Sequence, residues 1–261
     1  MTFWEHLGEL RTRLFRSFAY LAIGACVGWY LYPWVHHVLA APVQPAFNKY
    51  GVETIYLNVW EPFFLRFAVG LISGLVCVMP FLTAEMWGFI SPALLPQERR
   101  WVRFVAPLSV LFFALGVLAG YLVMGPAVTW FLGYLPPGDR LMQNANSFLI
   151  FECKCILAFG LVFQLPVVLM FLAMVGLVKS SMLEKQWRAA VCILTLVAAV
   201  VTPSNDPVTM MAMAVPLVIL YFLSIGLVRI TERMTGRGSA KVPVAPVDRP
   251  SNNGSGPMSV G

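Results

Sequence analysis

Long apolar runs dominate this chain and leave few folds open to it. Several stretches of 13 to 21 or more residues carry at most one or two charges, and about 20 apolar residues cross a bilayer as a helix. The runs are continuously apolar rather than alternating with period 2, which argues against a membrane β-barrel. Only 11% of the 261 residues are charged and 59% are hydrophobic, whereas a soluble domain carries about a quarter charged residues. Too little polar surface remains to coat a globule, so lipid is the solvent for most of the chain. The expected class is an all-α integral membrane protein.

Residues 1–14 read as an amphipathic cytoplasmic helix. Thr2 and Glu5 make a capping-box pattern. Phe3, Leu7, Leu10 and Leu14 recur at helical spacing, while Glu5, Glu9 and Arg13 fall four apart on another face. The apolar run that follows is read as a retained span rather than a cleaved signal. Its flank carries Glu5 and Glu9, and it continues through Trp29, Tyr32 and Trp34 with no small-residue cleavage site. Six spans are expected, at roughly 15–34, 62–88, 104–131, 148–175, 189–201 and 208–228, within a membrane domain covering 15–230.

The fifth run, Ala189 to Val201, has only 13 residues, and charge asymmetry decides in its favour. With the amino terminus inside and six spans, fourteen of the 18 Lys and Arg residues face the cytoplasm. They are Arg11, Arg13 and Arg16, then Arg99, Arg100 and Arg103, then Lys179, Lys185 and Arg188, and finally five tail cations from Arg229 to Arg249. Without a fifth span that tail would lie outside, so both termini are expected in the cytoplasm. Residues 231–261, rich in Gly, Ser, Pro and Asn, read as a basic, disordered cytoplasmic tail. Pro80, Pro107, Pro126, Pro166 and Pro216 interrupt the spans, and kinked helices suit a concave, cup-like bundle.

Polar groups inside a membrane are costly and mark candidate sites. Arg66 and Lys154 lie near the outer ends of their spans and are expected to snorkel to the headgroups; Glu152 is placed near the same interface, and Glu85 just before a cytoplasmic loop. Gln164 falls near the middle of span four. Spacing alone favours a helix–helix hydrogen bond within the monomer, worth roughly 1 kcal/mol, over a polar site awaiting another chain. Glu9 and Glu98 stand among cytoplasmic cations, either as weak surface pairs or as acceptors for a guanidinium from the cytoplasm. The five cysteines, Cys26, Cys77, Cys153, Cys155 and Cys192, read as small buried hydrophobes rather than disulfides or metal ligands. No nucleophile elbow, zinc-protease helix or phosphate loop occurs; neither enzymatic activity nor a cofactor is expected.

Four segments, in order, resemble one family. Phe3-Trp-Glu-His-Leu-Gly-Glu-Leu-Arg-Thr-Arg-Leu14 is similar to its amino-terminal signature, and Phe89-Ile-Ser-Pro-Ala-Leu-Leu-Pro-Gln-Glu-Arg-Arg100 to its first cytoplasmic loop. Ala158-Phe-Gly-Leu-Val-Phe-Gln-Leu-Pro166 and Val201-Thr-Pro-Ser-Asn-Asp-Pro207 resemble its fourth span and last outer turn. The family is TatC, the multispanning receptor of the twin-arginine protein translocase, and the resemblance covers about residues 2–230.

The resemblance implies export of folded proteins across the cytoplasmic (inner) membrane, driven by the proton-motive force. Signal peptides with paired arginines would be bound by Glu9, Arg11, Phe89, Pro92, Glu98 and Arg99. The implied partners are the single-span proteins TatA and TatB, with self-association in a multimeric receptor complex and no nucleic acid. Gln164, Thr202 and Asp206 would form the docking site for a partner helix. Gln164 stands where many members carry Glu, and an amide hydrogen-bonds but cannot titrate; Met210 stands where some members have Gln. The alternative is a small-molecule secondary transporter, although the halves show no internal repeat and only one mid-span polar residue.

Overall fold

The computed structural model describes residues 3–91, 96–136, 138–201 and 207–234, and these are overwhelmingly helical. Five helical segments are long and apolar enough to cross a membrane: Leu7–Ala40, Glu61–Ile90, Arg103–Leu132, Ala145–Val175 and Met213–Arg233. They belong to α1 (Phe3–Ala40), α3 (Glu61–Ile90), α4 (Pro96–Leu132), the consecutive pair α5 (Ala145–Val162) and α6 (Leu165–Val175), and α9 (Pro207–Met234). α8 (Trp187–Val201) is apolar but shorter, about 22 Å long, in keeping with the brief fifth run of the sequence. The outer turn with Thr202 and Asp206, the tail beyond residue 234, and Pro92 lie outside the described residues.

α1 is one continuous helix of 38 residues, about 57 Å long, so its amphipathic start and its apolar span share one axis. It packs antiparallel on α3 through glycines on both helices. A Cβ on Gly24 would come within 2.8 Å of the Gly74 carbonyl oxygen, and one on Gly28 would collide with that of Gly70. Lipid gives helices no hydrophobic reason to associate, so close backbone approach at small residues supplies the contact instead. α4 meets α5 in the same way, with Gly116 against Phe159 and Gly160, and Gly120 against Ile156.

Pro166 acts more strongly than a kink. The helix breaks at Phe163–Gln164 and restarts with proline in its first turn, where a missing N–H costs nothing. The region after span one, expected to be a loop, holds α2 (Gln44–Tyr50) and β1 (Glu53–Ile55). Pro45 opens α2, and Gly51 ends it at φ 65, a left-handed conformation that glycine adopts without strain. β1 pairs in parallel with β2 (Met142–Asn144), Glu53 opposite Met142 and Ile55 opposite Asn144. Behind this ribbon the Glu61 carboxylate accepts hydrogen bonds from Leu57 N–H at 2.9 Å, Asn58 Nδ2 at 3.2 Å and Asn144 Nδ2 at 3.2 Å. The other end of the bundle is closed by Trp87, Val105, Val167 and Phe171, with the Trp87 and Phe171 rings edge-on at 4.7 Å. There α7 (Ser180–Lys185) is tied to α9: Ser180 N–H and Oγ donate to Glu232 at 2.8 and 2.6 Å, and Arg229 pairs with Glu184.

Candidate functional site at the basic end of the bundle

The antiparallel register of α1 on α3 sets Glu9 at the height of Phe89, and the side chains between them are paired. Arg13 donates from Nε and Nη2 to Glu9 Oε1, at 3.0 and 2.7 Å. Its Nη1 reaches across to Glu85 Oε2 at 3.0 Å, and Arg16 Nη1 lies 3.9 Å from Glu85 Oε1. All three members of the Glu9–Arg13–Glu85 bridge are half-buried. The bridge exists because α3 carries glycine at position 88: a Cβ there would fall on the Arg13 guanidinium. The remaining Glu9 oxygen, Oε2, is buried without a hydrogen-bond partner among the described residues.

The other candidates take their places around this cluster. Arg11 is exposed on α1 with its guanidinium 5.7 Å from the Phe15 ring. Phe89 is half-buried one turn beyond Glu85. Glu98 and Arg99 sit in the first turn of α4 by backbone, at the same end, and their side chains lie outside the described residues. The Gln164 amide is engaged within the chain, accepting from the Ser109 hydroxyl and donating to the Ser109 carbonyl at 2.9 Å. α4 and the α5–α6 break are thereby linked inside the span.

A profile of the family described as "Sec-independent protein translocase protein (TatC)" matches residues 5–216. The chain belongs to the TatC family. It is 39% identical over 224 residues to the TatC of Desulforapulum autotrophicum, covering 85% of this chain and 82% of that one. Identity to the TatC of Koribacter versatilis is 34% over 232 residues, covering 87% and 84%. A crystal structure titled as the twin-arginine translocase receptor TatC superposes with a TM-score of 0.77 at 32% identity, covering 87% of this chain and 100% of that one. This TatC chain is thus a multi-pass membrane protein and a component of the Sec-independent protein translocase.

Several residues of this TatC differ from their sequence reading. Glu152, expected at the outer interface, is completely buried two turns into α5, because Leu149, Cys155 and Ile156, one turn away on either side, are all core residues. Neither of its carboxyl oxygens has a hydrogen-bond partner among the described residues. Arg66 does not simply snorkel: its guanidinium lies 4.8 Å from the Trp29 ring and 5.6 Å from the Tyr32 ring, where cation–π attraction holds it. Of the cysteines only Cys153 and Cys155 are buried; Cys26, Cys77 and Cys192 lie on the outside of the bundle, the face a membrane protein turns to acyl chains. Among the described residues no three His, Cys, Asp or Glu side chains converge as metal ligands.

Sequence reasoning left Glu85 and Gly88 without a role at this site and paired Arg13 only with Glu9. The available signal was a matching pair of Gly-x-x-x-Gly spacings, at Gly24/Gly28 and Gly70/Gly74, which sets the register that carries Arg13 to Glu85.

Proposed function

We propose that this chain reads the paired arginines of signal peptides at its cytoplasmic end, with Glu9, Arg11, Phe89, Pro92, Glu98 and Arg99 forming the binding surface. The observation that carries the reading is that Glu9, at the height of Phe89, already binds a guanidinium through two hydrogen bonds, the chemistry an arginine signal would offer. Residues 1–14 then present the acceptor to the cytoplasm, 15–230 hold the membrane domain, and 231–261 form a cytoplasmic tail. TatA and TatB are the expected single-span partners in a multimeric complex, with transport of folded proteins across the cytoplasmic membrane drawing on the proton-motive force. A partner helix would dock near Gln164, Thr202 and Asp206, competing with Ser109 for the Gln164 amide. The test is Glu98→Ala, expected to abolish binding of a twin-arginine signal while the variant still inserts in the membrane. Normal export of a folded reporter by that variant would overturn the assignment.

A further inference from the structure

The guanidinium seat between α1 and α3 is fully formed and already full. Two half-buried carboxylates from different helices converge on Arg13, Gly88 leaves room for its head group, and one Glu9 oxygen has no partner among the described residues. Arg16 approaches from 3.9 Å without matching the shorter contacts that Arg13 makes. A site that holds a guanidinium from its own chain has the shape and charge to hold one from another.

We propose that Arg13 is an internal stand-in for the signal peptide: it occupies the Glu9–Glu85 seat in the resting receptor, and an incoming arginine takes that seat by displacing it. The proposal rests on the receptor reading above and extends it to Glu85 and Arg13. Displacement sets the affinity, and the seat sets the specificity. Arg13 makes three short charge-assisted hydrogen bonds, two to Glu9 and one to Glu85. Another guanidinium can replace them in kind, whereas an ammonium is a point charge without the planar fork. Exchanging arginine for arginine conserves charge and hydrogen-bond geometry; exchanging arginine for lysine loses part of the fork. The internal residue therefore sets a threshold common to every incoming cation, and the fork geometry of the seat lets an arginine peptide cross it more readily than a lysine peptide. Arg13 is a positioning residue, because it acts on the ligand through the carboxylates that it holds.

The test measures binding of two fluorescent signal peptides, one with paired arginines and one with paired lysines, to the full chain in lipid nanodiscs. The wild-type protein is expected to bind the arginine peptide more tightly; absence of that preference would overturn the receptor reading itself. In Arg13→Gln the threshold is gone, so both affinities rise. Each gains about tenfold, the worth of one charge-assisted hydrogen bond, and the preference for arginine is kept, because either peptide displaces the same internal residue. Arg13→Lys keeps the internal charge without the planar fork, so it raises both affinities by a smaller factor and guards against a folding defect in Arg13→Gln. Arginine-peptide affinity that is unchanged or weaker in both variants would overturn the stand-in.

Discussion

At Glu152 two carboxyl oxygens are buried without partners among the described residues. A buried polar group left unsatisfied costs about 1–3 kcal/mol, so Glu152→Leu, close in volume and free of polar atoms, is expected to stabilise the chain by about that amount. Thermal unfolding in detergent checks it, and a lower melting temperature for the variant would show that the carboxyl is engaged. The sequence shows that position 152 is acidic and inside a run, but burial depends on how α5 rotates against α4, and no local pattern encodes that rotation. Gln164 was more legible. An amide among apolar neighbours must find a partner, and the remaining question of which chain supplies it is answered inside the monomer by Ser109. Ser109, 55 residues away, offers no sequence cue that it faces Gln164.

Among the elements, the α1–α3 pair depends most on a few positions. A methyl group added to Gly28 must force the two backbones apart, and overpacking of this kind costs about 1–3 kcal/mol. Gly28→Ala is therefore expected to lower thermal stability. Gly226, on α9, has nothing within 4 Å of an added Cβ, and there Gly226→Ala should stabilise by up to about 1 kcal/mol through helix propensity alone. Equal effects from the two substitutions, read in the same unfolding assay, would contradict the close-packed account of α1 on α3. The five long spans are readable from apolar run length, because a bilayer demands length and apolarity locally, and the brief fifth run forms the shorter helix α8. The β1–β2 ribbon is not readable in this way. Its three-residue strands (Glu53–Ile55 and Met142–Asn144) lie far apart in sequence, and nothing in either segment announces its mate.

Among the described residues the salt bridges gather at one end of the molecule. Arg13, Glu85 and Arg16 lie there beside the start of α4, as do Ser180, Glu184, Arg229 and Glu232. By the positive-inside bias this end is expected to face the cytoplasm. A fluorescent protein that matures only in the cytoplasm, fused after Arg249, is expected to glow, and the same reporter inserted at Gly138 is expected to stay dark; a dark tail fusion would mean an odd number of spans. The resemblance drawn from four short motifs extended correctly to the family because those motifs sit in the right order on a matching apolar pattern. What they did not contain was the bridge from Arg13 to Glu85, which exists only when two helices meet.

Recognition of a guanidinium pair at this end of the bundle is the function proposed for this chain. It is tested most directly by photocrosslinking from probes placed at positions 89 and 98 in native membranes, with a signal peptide carrying paired arginines and its paired-lysine control. Strong crosslinks from both positions that vanish with the lysine peptide are expected. Crosslinks of equal strength with the two peptides, or none with either, would show that these are ordinary surface groups and would contradict it.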